Sequence, residues 1–503
     1  MLDLMIRQHP HHPMSRRELI RVGMLGLGGL TLADQLRFQS LAGTESSVVK
    51  KRSVIFLFLA GGPSQYETFD PNPEGAETHR SINGSIATSL TGVRFSSYLP
   101  KLAKQAHRLS IVKSFQTNHS EHNGAHKQLL TADLTVKDGQ EIREPGLGAI
   151  YARMAGPMNR ATGMPRHLVI PPTTRYPGAG KGFAGAFESV IEGIQPATLG
   201  TTYAPIPVQV PMASGLTEAK PKTNKKPNSS SENTGDDFLQ SLQLKAPVLQ
   251  FQDRLTLLKE LDDLNRQVQG SAAHQRDAYR QQALDLLSSG AIRKAFDLTL
   301  EDPATLKAYD TEHFRNWQCD DQSRFQRNTP SIGFSLGRQL LLARRLCEAG
   351  AGFVTVVNAN WDFHARKGIP NIPEGMGVFG PPLDHAVSAF LDDLHQRGLE
   401  REILLVITGE FGRSGMDKNA GRHHHPRICP LVFAGGGLNH GQVIGKSDAR
   451  AAAPATNPIT IDDLHATLYH SLLDVAQLRT DTDLSSKLID RLSRGKPVTE
   501  LFQ

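Results

Sequence analysis

Residues 53–60 read Ser-Val-Ile-Phe-Leu-Phe-Leu-Ala, and Gly61-Gly62-Pro63-Ser64 stops the run abruptly. A short apolar run without polar alternation predicts an interior strand of a parallel sheet, covered on both faces. The same signature returns at Phe353–Asn358 and Ile403–Thr408, with shorter candidates at Leu109–Phe115, His167–Ile170 and Pro430–Ala434. Helical stretches fit at Tyr98–Gln105, Asn123–Leu130, Gly333–Glu348, Pro382–Arg397 and Ile461–Leu472. Short strands separated by helices predict an α/β fold: a three-layer sandwich around a mostly parallel central sheet.

Composition supports a globular chain. Of 503 residues, 39% are hydrophobic and 21% charged, and the 45 glycines and 30 prolines are spread throughout. That excludes a wholly disordered, collagen-like or coiled-coil chain. The formal charge of +6 is mild for this length. No stripe of Arg and Lys interleaved with aromatics occurs, which argues against a nucleic-acid partner. The three cysteines, Cys319, Cys347 and Cys429, form no CxxC pattern. A Cys319–Cys347 disulfide in an exported chain and three thiols are both open readings.

The first 45 residues read as a leader. Ser15-Arg16-Arg17-Glu18-Leu19-Ile20 followed by a weakly apolar Gly/Leu stretch resembles a twin-arginine export signal, with Ser40, Ala42 and Gly43 near a cleavage point. The expected partner is the twin-arginine export machinery. The expected location is the periplasm or an equivalent extracytoplasmic compartment, with an uncleaved signal as the anchoring alternative. The main domain spans residues 50–500. Within it, the polar stretch 214–247 predicts a linker. Residues 248–330 predict a helical insertion that packs on the sheet edge or meets a cell-surface partner. Gly178-Ala179-Gly180-Lys181-Gly182 is no phosphate loop, because the leading glycine and the closing hydroxyl residue are missing.

The chemistry gathers beside the strands in four clusters. Asn118-His119-Ser120-Glu121-His122-Asn123-Gly124-Ala125-His126 opens a helix; His122 and His126, four apart, share its face. Asn358-Ala359-Asn360-Trp361-Asp362-Phe363-His364 follows a strand, and Asp362 with His364 suits a divalent cation. Gly409-Glu410-Phe411-Gly412-Arg413 offers a carboxylate and a forked donor. In Gly421-Arg422-His423-His424-His425-Pro426, three successive histidines cannot all face one point. Each cluster has a plainer reading as well: a polar cap, a turn, a local salt bridge, a solvated histidine run.

The segments GGPSQYETFDP (61–71), WDFH (361–364), GEFGR (409–413), GRHHHP (421–426) and LVFAGGG (431–437) resemble the bacterial DUF1501 family over about residues 15–500. That family is related to the alkaline phosphatase/sulfatase superfamily, and its members commonly carry twin-arginine signals. The resemblance implies a large α/β sandwich that binds one or two divalent metals and hydrolyses phosphate or sulfate monoesters. Asp362 and His364 match the family's Asp-x-His pair, and His424 matches the histidine of its GRDH segment. Glu410 stands where the superfamily places an Asp beside a His, with Phe411 in the neighbouring place. The first strand ends in Gly61-Gly62-Pro63-Ser64, where active phosphatases carry a metal-binding Asp, and Asp70 lies further on. The nucleophile position falls within 118–126. No cysteine occurs there, which excludes a cysteine-derived formylglycine and leaves Ser120 as the available hydroxyl.

The resulting expectation is a metal-dependent hydrolase of a small anionic ester or sulfated glycan. Asp362, His364, Glu410 and His424 hold a divalent ion (zinc, calcium or magnesium). Ser120 attacks or positions the anion, and His119, His122 and His126 carry protons. Arg413 and Arg422 offset charge on the tetrahedral group. The alternative is an exported binding or scaffold protein that kept the fold without turnover.

Overall fold

The computed structural model describes residues 48–172, 184–208, 210, 294–316, 333–366, 369–478 and 484–503. The expected leader, the glycine-rich segment 178–182, the linker 214–247, most of the helical insertion and Cys319 lie outside the described residues.

Among the described residues, twelve strands follow in chain order: β1 Ser53–Leu59, β2 Ser85–Ala87, β3 Arg94–Ser96, β4 Leu109–Val112, β5 His167–Ile170, β6 Ile206–Pro207, β7 Phe353–Asn358, β8 Ile403–Thr408, β9 Gly412–Met416, β10 Arg422–His425, β11 Leu431–Gly435 and β12 Gln442–Ile444. Eight form the central sheet in the order β12-β4-β11-β8-β1-β7-β5-β6. β1 lies between β7 and β8, parallel to both. β11 is the exception, antiparallel to β8 and to β4. The sheet is therefore mostly parallel, with one reversed strand.

β1 shows why an unbroken apolar run suits this place. Ile55, Leu57 and Leu59 enter one core, and Val54, Phe56, Phe58 and Ala60 enter the other. Successive side chains point to opposite faces, so a strand buried on both faces has no position for a polar residue. Helices Leu336–Glu348 and Ile372–Arg397 cover the first face with Leu340, Leu346, Met376, Leu383 and Phe390. Helices Leu147–Ala155 and Ile461–Leu472 cover the second with Ile150, Tyr151, Leu464 and Leu468. The α/β three-layer expectation holds.

Several boundaries shift by one to three residues, and one shifts by ten. The helix expected to start at Pro382 begins at Ile372. Asn371 accepts from the Glu374 N–H at 2.9 Å, and the Glu374 carboxylate accepts from the Asn371 N–H at 3.0 Å. This reciprocal cap sets the start, and Pro381 and Pro382 lie inside the helix. The return from the expected insertion is tied down by charge: Glu301 accepts from Arg344, Arg345 and Arg397 on the two helices of the first face. Cys347 and Cys429 are free, buried thiols.

Candidate metal centre

Topology explains why distant clusters can meet. β1, β7 and β8 run the same way, so the segments after them leave from one edge of the sheet. β4 reaches that edge too, since β11 is antiparallel to both β4 and β8. The reversed β11 begins there, with Leu431 opposite both Thr408 and Val112. The hairpin β9–β10, which precedes β11, is thus delivered to the same rim.

Backbone details set the floor. Gly61 and Gly62 have φ of +114° and +75°. A Cβ on Gly61 would lie 2.6 Å from the Trp361 nitrogen, and one on Gly62 would enter the Phe411 ring. Only glycine permits both the backbone angle and the approach. The result is a Gly61 N–H donated to Glu410 Oε1 at 2.9 Å. The end of β1 thus supplies a donor to a carboxylate in place of a carboxylate of its own. Asp70 does not substitute: it binds Lys113 Nζ at 2.7 Å and the Ser447 hydroxyl at 2.6 Å.

The expected ligands resolve into two groups that share His122. In the first, His364 Nε2 and His424 Nε2 lie 2.7 and 3.3 Å from Asp362 Oδ1, and His122 Nε2 lies 3.6 Å from Asp362 Oδ2. In the second, His122 Nδ1 and His126 Nε2 lie 2.6 and 3.1 Å from Glu410 Oε1. One imidazole ring therefore spans the two carboxylates. His122–Asp362–His424 and His122–His126–Glu410 each bring three donor atoms within 4.8 Å of one another. The expected set of Asp362, His364, Glu410 and His424 is thus distributed over both groups. His122 bridges Asp362 and Glu410, and His122 and His126, expected as proton carriers, belong to these candidate donor groups. Their i, i+4 spacing was the available signal. Which carboxylate each ring faces depends on tertiary packing.

The groups differ in access. Glu410 and His126 are fully buried, whereas the side chains of Asp362, His122 and His424 are 24%, 24% and 16% exposed. Solvent therefore reaches the centre from the Asp362 side.

Burial would raise both carboxyl pKa values. Arg413 and the surrounding imidazoles hold Asp362 well below the usual carboxylate range, and His126 and His122 do the same for Glu410. Burial pulls His122 down, but Asp362 and Glu410 outweigh it and raise the ring to about 9. Burial lowers His364, and the neighbouring Arg413 and His424 add to this against the opposing pull of Asp362. Two ionised carboxylates in a buried nest of imidazoles make a site that protons or a cation can satisfy.

Two features fit a bound cation. His126 Nε2 is fully buried and faces Glu410 Oε1 at 3.1 Å. His424 donates from Nδ1 to the Ser120 carbonyl at 2.6 Å, which turns Nε2 toward Asp362. Ligating histidines characteristically spend their other nitrogen on such an anchor. Imidazole-rich donors suit zinc better than calcium or magnesium, which prefer all-oxygen sets.

The histidine run separates as its chemistry requires. The β9–β10 register shifts between Arg422 and His424, and His424 pairs with Arg413. His424 thus turns inward. His423 is half-exposed near Asp417, and His425 donates to the Ala452 carbonyl at 2.6 Å.

Both arginines depart from the expected role. Arg413 is 2% exposed and directs its donors to the Gly61, Gly62, Trp361 and Arg422 carbonyls, to His364 and to Asp362 Oδ1. It neutralises and orients Asp362, with no N–H left for a substrate anion. Arg422 is not brought to the centre. It pairs with buried Glu67 at 3.0 Å, bonds the Thr78, Arg80 and Ser414 carbonyls and lies over the Tyr66 ring. Ser120 is exposed at the rim and contributes its carbonyl to His424. His119 folds back on its own loop, accepting from the Glu121 N–H at 3.0 Å.

No curated protein sequence matches the chain. Solved structures similar to it include the phosphonate monoester hydrolase SpPMH from Silicibacter pomeroyi, at 10% identity and TM-score 0.37, covering 89% of this chain and 76% of that one. Another is the PsFucS1 sulfatase from Pseudoalteromonas sp., at 10% identity and TM-score 0.34, covering 91% and 72%. A third is a mutant of TAB5 alkaline phosphatase with Mg bound, at 9% identity and TM-score 0.33, covering 89% and 99%. The family model described as a protein of unknown function, DUF1501, matches residues 51–502, and the chain belongs to that family.

Proposed function

We propose that the chain is an extracytoplasmic, metal-dependent hydrolase of phosphate or sulfate esters. The observation that carries this reading is the pair of donor groups joined through His122, with a buried carboxylate at one end and a solvent-reachable one at the other. Asp362, His424 and His364 would hold a cation on the open side, and Glu410 and His126 would take part from the closed side. A divalent cation there supplies a positive centre that polarises an ester oxygen and acidifies water. Arg413 fixes the Asp362 carboxylate, and Gly61 fixes Glu410. Ser120 stands at the open rim, where its hydroxyl can meet a small anionic ester or the sulfate of a glycan. Export rests on the Arg16-Arg17 leader. Among the described residues, no helix is long and apolar enough to cross a membrane.

The reading is tested by elemental analysis and by turnover of aryl phosphates, phosphonates and sulfates. The wild-type chain is expected to hold a transition metal, to hydrolyse one of these classes and to lose activity on chelation. Glu410→Ala and His424→Ala should each lower metal content and turnover together, whereas His423→Ala should change neither. Full metal content in His424→Ala would remove the ligand assignment.

A second reading, a metal- or anion-binding protein without turnover that docks a cell-surface partner, is favoured by the N–H at the end of β1 and the full commitment of Arg413. It predicts stoichiometric metal with no hydrolysis across the panel. Metal-stimulated turnover abolished by Glu410→Ala would reject it.

A further inference from the structure

The most buried part of the centre is His126, and its ring is held from outside the four sequence clusters. His126 Nδ1 lies 2.8 Å from the Ser189 hydroxyl. Both residues are buried, at 0% and 4% exposure. Ser189 belongs to the helix Ala184–Gly193, which packs directly on the helix His122–Thr131. The approach is close: a Cβ on Gly193 would lie 2.9 Å from Leu130 Cδ1 and 3.4 Å from the His126 carbonyl. Two backbones this near leave the Ser189 hydroxyl little freedom, so its position is set by helix packing.

We propose that Ser189 is a positioning residue for the metal centre, whose hydroxyl oxygen accepts a hydrogen bond from His126 Nδ1–H and so presents the Nε2 lone pair toward Glu410. The chemistry follows from the ring. A neutral imidazole carries one N–H and one lone pair, and a bond made by one nitrogen decides the state of the other. His126 Nε2 is fully buried and faces the Glu410 carboxylate at 3.1 Å. A cation bound between Glu410 and His126 needs that lone pair. Ser189 thus plays for His126 the part that the Ser120 carbonyl plays for His424. One acceptor is a side chain and can be removed by substitution; the other is backbone.

The inference rests on the metal-centre reading, and its test separates the two. Zinc affinity of the full chain is measured by chelator competition, together with the visible spectrum of the cobalt-loaded protein and the thermal midpoint of the metal-free protein. Ser189→Ala is expected to weaken zinc binding by about 10–100-fold, the usual cost of losing such an outer partner, and to alter the cobalt spectrum. The metal-free midpoint should change little, and Ser189→Thr, which restores a hydroxyl, should recover much of the affinity. Wild-type affinity and spectrum in Ser189→Ala would overturn the role of Ser189 and leave the metal centre standing. A lowered metal-free midpoint that tracks the affinity loss, without rescue by Thr, would also overturn it, because the effect would then be packing alone. Failure of the wild-type chain to bind zinc or cobalt would instead overturn the metal-centre reading and this inference with it.

Discussion

Arg413 illustrates how a single residue can belong to a site without serving as its reagent. Its buried guanidinium gathers carbonyls from three segments and one Asp362 oxygen. A flat fork with five N–H groups can meet such a set, whereas an ammonium with three cannot. Arg413→Lys keeps the charge and leaves buried carbonyls unsatisfied. The expected loss is about 3 kcal/mol or more, read as a lower midpoint in urea at unchanged slope. The motif announces an arginine at this place, but donor commitment is a property of the folded backbone. Sequence pattern alone reads it as free to meet an anion.

At the scale of elements, legibility follows from where the information lies. His167–Ile170, Phe353–Asn358, Ile403–Thr408 and Ile461–Leu472 are legible to the residue because apolar runs and caps are local. The reversal of β11 leaves no local trace, since an antiparallel central strand buried on both faces reads like a parallel one. The early start of Ile372–Arg397 is hidden because the Pro381-Pro382 pair mimics a helix beginning, while the true cap at Asn371 lies ten residues upstream. β5 adds a pH-dependent term. His167, fully buried, donates from Nδ1 to the Tyr203 carbonyl at 3.2 Å, and burial lowers its pKa to about 4. The folded chain thus favours the neutral ring. The contribution is fully present above the unfolded value near 6.5 and is lost as pH falls toward 4, by up to about 3 kcal/mol. His167→Asn, which keeps a donor near the Nδ1 position, should lower stability at neutral pH. It should also flatten the decline between pH 6.5 and 4, measured by urea unfolding across that range.

Over the whole molecule, the four polar clusters were legible as candidates because each adjoins a strand end, and the sheet gathers those ends at one rim. Their division between two carboxylates was not, because ring orientation depends on contacts such as Ser189 and the Ser120 carbonyl, far away in the chain. Completion of the sheet depends on the last fifth of the polypeptide. β8 flanks β1, and β11 and β12 enclose β4. A chain cut after residue 400 keeps β1 but leaves one of its edges open. It should elute as aggregate in size-exclusion chromatography, where the full chain elutes as a defined species.

The central place of β1 also sets a schedule for synthesis. Leu59 ends the strand, and its first neighbour begins only at Phe353. At ~5–20 residues per second, the ribosome exposes this greasy segment for on the order of 15–60 s before β7 exists to cover it. Newborn chains are therefore expected to engage a holding chaperone during translation, and cells short of one should accumulate the protein in inclusion bodies.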